Sequence, residues 1–200
     1  MLRRLFFSAM LLALAGCAAQ SNTVLINQKN DTSAVGVGLD MRDFEAAADA
    51  SVQSMLASPA MTKPSGGRYV MALSRMTNDT MQRIDTDLLV KKIRVDLLNS
   101  GKVVMTTAVG ATVEDPLAMQ TRELRGSQEF NQAQVAKTGQ MVAPDLSLSG
   151  KIIQQNTRLG DGTQRIEYSF QLSVTDIRTG LAIWEGEKPI SKLTTGAAAW

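Results

Sequence analysis

Two close pairs of carboxylates, Asp85 with Asp87 and Glu114 with Asp115, have the type and spacing that general acid–base chemistry asks for: one carboxyl to protonate a leaving group, another to activate water. Both pairs stand where a helix is expected to start, and the helix dipole favours acids there without any catalytic role. The rest of the inventory excludes more than it suggests. The chain of 200 residues contains no histidine, which removes the usual general base, the commonest transition-metal ligand and every serine–histidine or cysteine–histidine arrangement. No phosphate-cradling GxxxxGK[ST] loop occurs, and the VGVG run from Val35 to Gly38 lacks the onward spacing of a dinucleotide fingerprint, so it reads as a flexible lead-in. Asp161 is a calcium-ligand type, but between Gly160 and Gly162 it reads more simply as a hairpin turn. The eleven methionines are scattered and read as core filling rather than a copper site. These residues point to a protein with no catalytic residue, no cofactor, no metal and no small-molecule substrate.

The single cysteine has a sharper reading. Arg3 and Arg4 form a positive start, Leu5 to Ala15 an apolar stretch with one serine, and Leu14-Ala15-Gly16-Cys17 a small-residue junction. The apolar run falls short of the roughly 18 residues of a membrane-spanning helix, so residues 1–16 read as a secretory signal peptide. The junction resembles the bacterial lipobox, which implies that Cys17 becomes the acylated N-terminus, each buried methylene contributing about 0.8 kcal/mol to anchoring. Ala18, not an aspartate, follows Cys17, and the resemblance then points to outer-membrane lipid on the periplasmic side. Losing Arg3 and Arg4 with the signal takes the 21 basic residues to 19, equal to the 19 acidic ones. A neutral mature chain disfavours nucleic-acid binding and electrostatic adhesion to anionic lipid. With Cys17 acylated, no thiol remains for a disulfide or a nucleophile.

The elements that would position any site read as follows. Residues 17–39 form a lipidated, flexible tether rich in Ser, Asn, Gln, Thr and Gly, interrupted by the short apolar patch Val24-Leu25-Ile26. A globular domain is expected over residues 40–192 and a flexible tail over 193–200. Phe44, Ala48, Val52, Met55 and Leu56 recur at helical spacing, with Asp40 or Asp43 to cap the start and Pro59 to end it. Arg68 to Ser74 predicts a buried strand, followed by a polar loop. A second helix starts near Asp85, carries Leu89, Ile93 and Leu97 on one face and stops at Gly101. KVVMTT is the next strand. Asp115-Pro116 opens a helix running to about Leu124, and Ser127 is expected to cap another that carries Phe130 and Val135 and ends near Gly139. A strand from Leu146 to about Gln155, a turn at residues 160–162 and the unbroken alternation of Ile166, Tyr168, Phe170, Leu172 and Val174 give a long antiparallel pair with one buried face. The turn at Arg178 to Gly180 returns the chain into LAIWEGE, where Trp184 is expected to be buried. The fold class is α/β: a single mixed sheet, antiparallel in its C-terminal β-meander, flanked by helices.

The segment from Asp43-Phe44 to Met55-Leu56, the helix ending LLNSGKVV, the passage QVAKTGQMVAPDLSLSGKI and the closing DIRTGLAIWEGE, in that order over residues 40 to 192, resemble the LpoB family of outer-membrane lipoproteins that activate bifunctional class A penicillin-binding proteins. The resemblance implies a non-enzymatic protein whose domain docks on a peptidoglycan synthase and raises glycan polymerisation and crosslinking. The tether departs from the longer, Pro-rich ones of such relatives: it contains no proline and spans at most about 90 Å fully extended, nearer 30 Å as a coil. Two other classes stay open at this stage, a structural lipoprotein subunit of an envelope secretion or surface-organelle assembly and a murein hydrolase using a carboxylate pair.

The expected partner-binding residues are Arg122, Arg125, Gln128, Glu129 and Asn131, in the stretch QTRELRGSQEFNQ that precedes the VAKTG-like segment. Arginine suits an interface because its planar fork bonds carboxylates in pairs while its stem packs.

Overall fold

The computed structural model describes Leu25, Gly36 and residues 38–111 and 115–195. The signal peptide, Cys17, nearly all of the tether, Glu114 and residues 196–200 lie outside the described residues. The chain divides into Met1–Ser33 and Ala34–Trp200, and the fold set out here belongs to the second unit.

Helix α1 (Met41–Ala57) starts with a capping box: Asp40 Oδ1 accepts from the amides of Arg42 at 3.0 Å and Asp43 at 3.1 Å, while Asp43 Oδ2 accepts from the Asp40 amide at 2.9 Å. Its buried face is Ala47, Ala48, Ser51, Val52, Met55 and Leu56. Ser58 adopts extended backbone before Pro59, which stops the helix, and a 3-10 turn over Pro59–Met61 drops Met61 into the core. Strand β1 (Tyr69–Asp79) follows, then α2 (Thr86–Asn99), capped by Asp85 and burying Leu89, Val90, Ile93 and Leu97. Gly101 takes φ 67 just past its end, the left-handed stop that only glycine adopts without cost. Strand β2 (Val103–Met105), helix α3 (Pro116–Glu123) and the strands β3 (Leu146–Arg158), β4 (Thr163–Asp176) and β5 (Leu181–Thr195) complete the domain.

The five strands form one sheet in the order β2-β1-β3-β4-β5. β1 runs parallel to β2 and to β3, while β3, β4 and β5 are an antiparallel meander, so the sheet is mixed as the sequence predicts. Both long helices cover one face, α1 lying over β5 and α2 over β1 and β2. Met71, Leu73, Leu146, Leu148, Ile152 and the alternating residues Ile166 to Val174 supply the sheet side of that core. The opposite residues of β4, Glu167, Ser169, Gln171 and Ser173, are half-buried, and Ser169 and Ser173 donate to Glu187 and Glu185 across to β5.

The entry of the chain into the domain is gripped from two sides. Leu39 donates its amide to Gln82 Oε1 at 2.9 Å and accepts from Gln82 Nε2 at 2.8 Å. Lys192, on β5, donates to the carbonyls of Gly38 at 2.7 Å and Gly36 at 3.2 Å and pairs with Asp43.

Five expectations are corrected. β1 continues to Asp79 instead of ending at Ser74, because a bulge between Leu73 and Met76 lets the polar segment pair with Gly150 to Ile153 of β3. β3 likewise runs to Arg158, and β5 reaches Thr195 because β4 offers it partners back to Thr163. No helix follows Ser127; residues 124–145 are turns and irregular backbone. Trp184 is half-buried rather than enclosed, since β5 is an edge strand, and its indole lies across Gly186, where any Cβ would collide with it.

Candidate partner-docking site

β1 stands between β2 and β3 in the sheet, so the chain leaving β2 must cross to reach β3. It does so through residues 106–145, an excursion moored at both ends: Thr106 and Ala111 donate to Met71 and Leu73 of β1 at 3.0 and 3.1 Å, and Asp145 donates to Val70 at 2.7 Å. Within it, Asp115 caps α3 by accepting from the Leu117 amide at 3.0 Å, and Pro116 occupies the first turn, where its missing N–H costs nothing. α3 buries none of its residues. Leu117 and Met119 are 62% and 55% exposed, and Phe130 in the following loop is 48% exposed.

The loop after α3 is held by side chains instead of a helical ladder. Gln132 Nε2 donates to the carbonyls of Leu124, Ser127 and Phe130 at 3.1, 2.6 and 3.1 Å, and its Oε1 accepts from the Gly126 amide at 3.0 Å. Arg125 donates through Nε to Ala136 O at 2.8 Å and through Nη2 to Lys137 O at 3.0 Å. These bonds take carbonyls that a helix would have given to amides four residues on, which is why the expected second helix is absent.

The five expected partner-binding residues thus fall into three groups. Arg125 is committed to the loop's own backbone, and Asn131 Oδ1 accepts from the Ala133 amide at 3.1 Å. Gln128 and Glu129 are exposed, with side chains that have no partner among the described residues. Arg122, in the last turn of α3, is half-buried and reaches Met119 Sδ at 3.6 Å. Of the exposed apolar neighbours, Leu117 and Met119 were not singled out in the sequence, and Phe130 was read only as part of the expected helix after Ser127. The signal for Leu117 and Met119 was available: apolar residues in a capped helix too short and too irregularly spaced to face a core.

Of the acids weighed for catalysis or calcium, Asp85 and Asp115 cap helices and Asp161 closes a turn, while Glu114 lies outside the described residues. Asp85 Oδ1 accepts from the amides of Asp87 and Leu88 at the start of α2. Asp161 Oδ1 accepts from the hydroxyl of Thr163 at 2.6 Å and its amide at 2.9 Å, and those bonds hold its carboxyl below the usual range. A further pair, Asp49 and Asp96, meets between α1 and α2 with Lys92 Nζ 3.3 and 3.5 Å from them. Burial, then the hydrogen bond with Asp49, raises Asp96; shared by one ammonium, the pair ties the two helices together. Among the described residues no three His, Cys, Asp or Glu gather as a metal site, and no helix is long and apolar enough to cross a membrane.

The α/β domain thus has a one-sided core and an excursion whose exposed side chains are both apolar and charged. The family model described as peptidoglycan-synthase activator LpoB matches residues 43–190, and the chain belongs to that family. Among solved structures it is similar to the LpoB C-terminal domain from Escherichia coli, with 16% identity, TM-score 0.48, and 75% of this chain and 99% of that one covered. The NMR structure of E. coli LpoB gives 14% identity and TM-score 0.42 over 91% of this chain and 87% of that one. Lipoprotein GNA1162 from Neisseria meningitidis gives 12% and 0.34, over 66% and 88%. No curated protein matches. Membership in the family supports a role as an activator of peptidoglycan synthesis.

Proposed function

We propose that the protein, anchored in the outer membrane through acylated Cys17, binds a bifunctional class A penicillin-binding protein in the periplasm and stimulates murein polymerisation and crosslinking without catalysing either. The family match over residues 43–190 carries this reading. An activator of this kind works by binding the active conformation of its enzyme more tightly than the resting one, and the shift it produces is limited by that difference in affinity. The excursion is the part of the domain suited to such contact. Leu117, Met119 and Phe130 offer apolar area, Arg122, Gln128 and Glu129 offer polar groups at its surface, and Arg125, Gln132 and Asn131 hold the loop in one shape, which lowers the ordering cost of docking.

The test is a titration of purified class A synthase with the mature chain, read by binding and by the rate of glycan polymerisation. The triple substitution Arg122→Ala, Gln128→Ala, Glu129→Ala is expected to weaken binding by about 2 kcal/mol or more, mainly through faster dissociation, with the melting temperature unchanged. Equal affinity for the two forms removes the excursion from the interface. Failure of the unaltered chain to bind or stimulate any class A synthase removes the activator reading.

A further inference from the structure

The edge of the sheet where β1 and β3 begin and β4 ends carries a cleft of about 570 Å³, lined by Lys63, Tyr69, Pro144, Asp145, Asp176 and Arg178 among others. That volume falls in the range of small-molecule sites, roughly 300–1,000 Å³. Its charges are of both signs and only partly spent. Lys63 Nζ lies 2.7 Å from Asp145 Oδ2 and 5.5 Å from the centre of the Tyr69 ring, and the Val70 amide donates to the same Oδ2 at 2.9 Å. The hydrogen bonds from Lys63 and Val70 hold Asp145 below the usual carboxylate range, so it is ionised at neutral pH, and its Oδ1 has no partner among the described residues. Asp176 Oδ1 accepts from the Thr179 amide at 3.0 Å, which leaves its Oδ2 open in the same sense. Arg178, in the turn between β4 and β5, makes no hydrogen bond or ion pair with any described residue.

We propose that this cleft binds a short peptide carrying a free carboxylate and a free ammonium group. The carboxylate takes the fork of Arg178, a bidentate match that a single cation of another shape does not give. The ammonium takes the open oxygens of Asp145 and Asp176, and Tyr69 and Pro144 supply apolar walls. Murein stem peptides have this chemistry, with D-amino-acid carboxylates and the side-chain amine of a diamino acid; naming them as the source rests on the activator reading above. The cleft would let the domain sense the polymer its partner builds while the excursion holds the partner.

The experiment records backbone amide shifts of the isotope-labelled mature chain, without acyl groups, on adding four probes: the disaccharide-tetrapeptide released from murein by a muramidase, the tetrapeptide alone, the same tetrapeptide with its amines acetylated, and the disaccharide alone. The first two are expected to shift Tyr69, Asp145 and Arg178 saturably, and the last two to leave them in place. Arg178→Ala, a substitution in an exposed turn, is expected to bind the tetrapeptide about tenfold more weakly or worse with its melting temperature unchanged. No saturable shift with the tetrapeptide, equal binding of the acetylated form, or equal affinity of the Arg178→Ala chain would overturn the proposal. No synthase is present in the sample, so failure here is separate from failure of the stimulation assay.

Discussion

Ser51 sits in the middle of the buried face of α1, 1% exposed, and its hydroxyl has no hydrogen-bond partner among the described residues. A buried, unmet polar group is a standing cost, and alanine is also the better helix former. Ser51→Ala is therefore expected to stabilise the domain by about 1 kcal/mol, read as a higher midpoint in urea with the same slope; a lower midpoint would mean that the hydroxyl is satisfied in solution. Single residues also show what the sequence can and cannot disclose. Asp40, Asp43, Asp85 and Asp115 were legible as caps because a cap bonds amides two or three positions away, a purely local geometry. Arg125 and Gln132 were not: Arg125 bonds carbonyls eleven and twelve residues on, a distance set by loop closure that leaves no spacing to read.

At the scale of elements, strict alternation predicted β4 and its buried face, and the repeat of Leu89, Ile93 and Leu97 predicted the face of α2. The second half of β1 escaped notice because its residues are polar and its strand character comes from β3 beside it, a case of tertiary pairing overriding local preference. The bulge that permits this pairing is packed against Gly150. A Cβ there would lie 2.7 Å from the Gln171 carbonyl of β4 and 2.5 Å from Met76 Sδ of β1. Neither strand can retreat without breaking its ladder, so Gly150→Ala is expected to cost about 1–3 kcal/mol, measured by chemical denaturation. An unchanged midpoint would show that Met76 alone yields and that the three strands are looser than drawn. The missed helix after Ser127 belongs here too: Phe130 and Val135 invited a helical reading, but two points of apolar contact do not fix a helix when side chains compete for its carbonyls.

For the whole molecule, the Lys63–Asp145 pair joins the turn after α1 to the start of β3, two parts of the chain 82 residues apart. Hydrogen bonds from Lys63 and the Val70 amide lower the Asp145 carboxyl below its ordinary value of 3.8. A depressed acid contributes stability that is in place above the unfolded value and drains away as the pH falls through the folded one. Asp145→Asn is therefore expected to melt below the unaltered chain at pH 7, with the gap closing as the pH drops below about 4 and Asp145 itself becomes protonated. A gap that stays constant from pH 7 to pH 2 would show that the asparagine harms packing and that the charge is incidental.

The grip on Gly36, Gly38 and Leu39 turns the entry of the domain into a fitting that can carry tension. Tension arriving from the N-terminal side meets Gly36 and Gly38 first, whose carbonyls Lys192 holds, and then Leu39, whose amide and carbonyl Gln82 holds together. Because Lys192 on β5 also pairs with Asp43 of α1, the last strand and the first helix share the strain. A pull on residue 36 is thereby shared between β5 and the loop between β1 and α2 before it reaches α1.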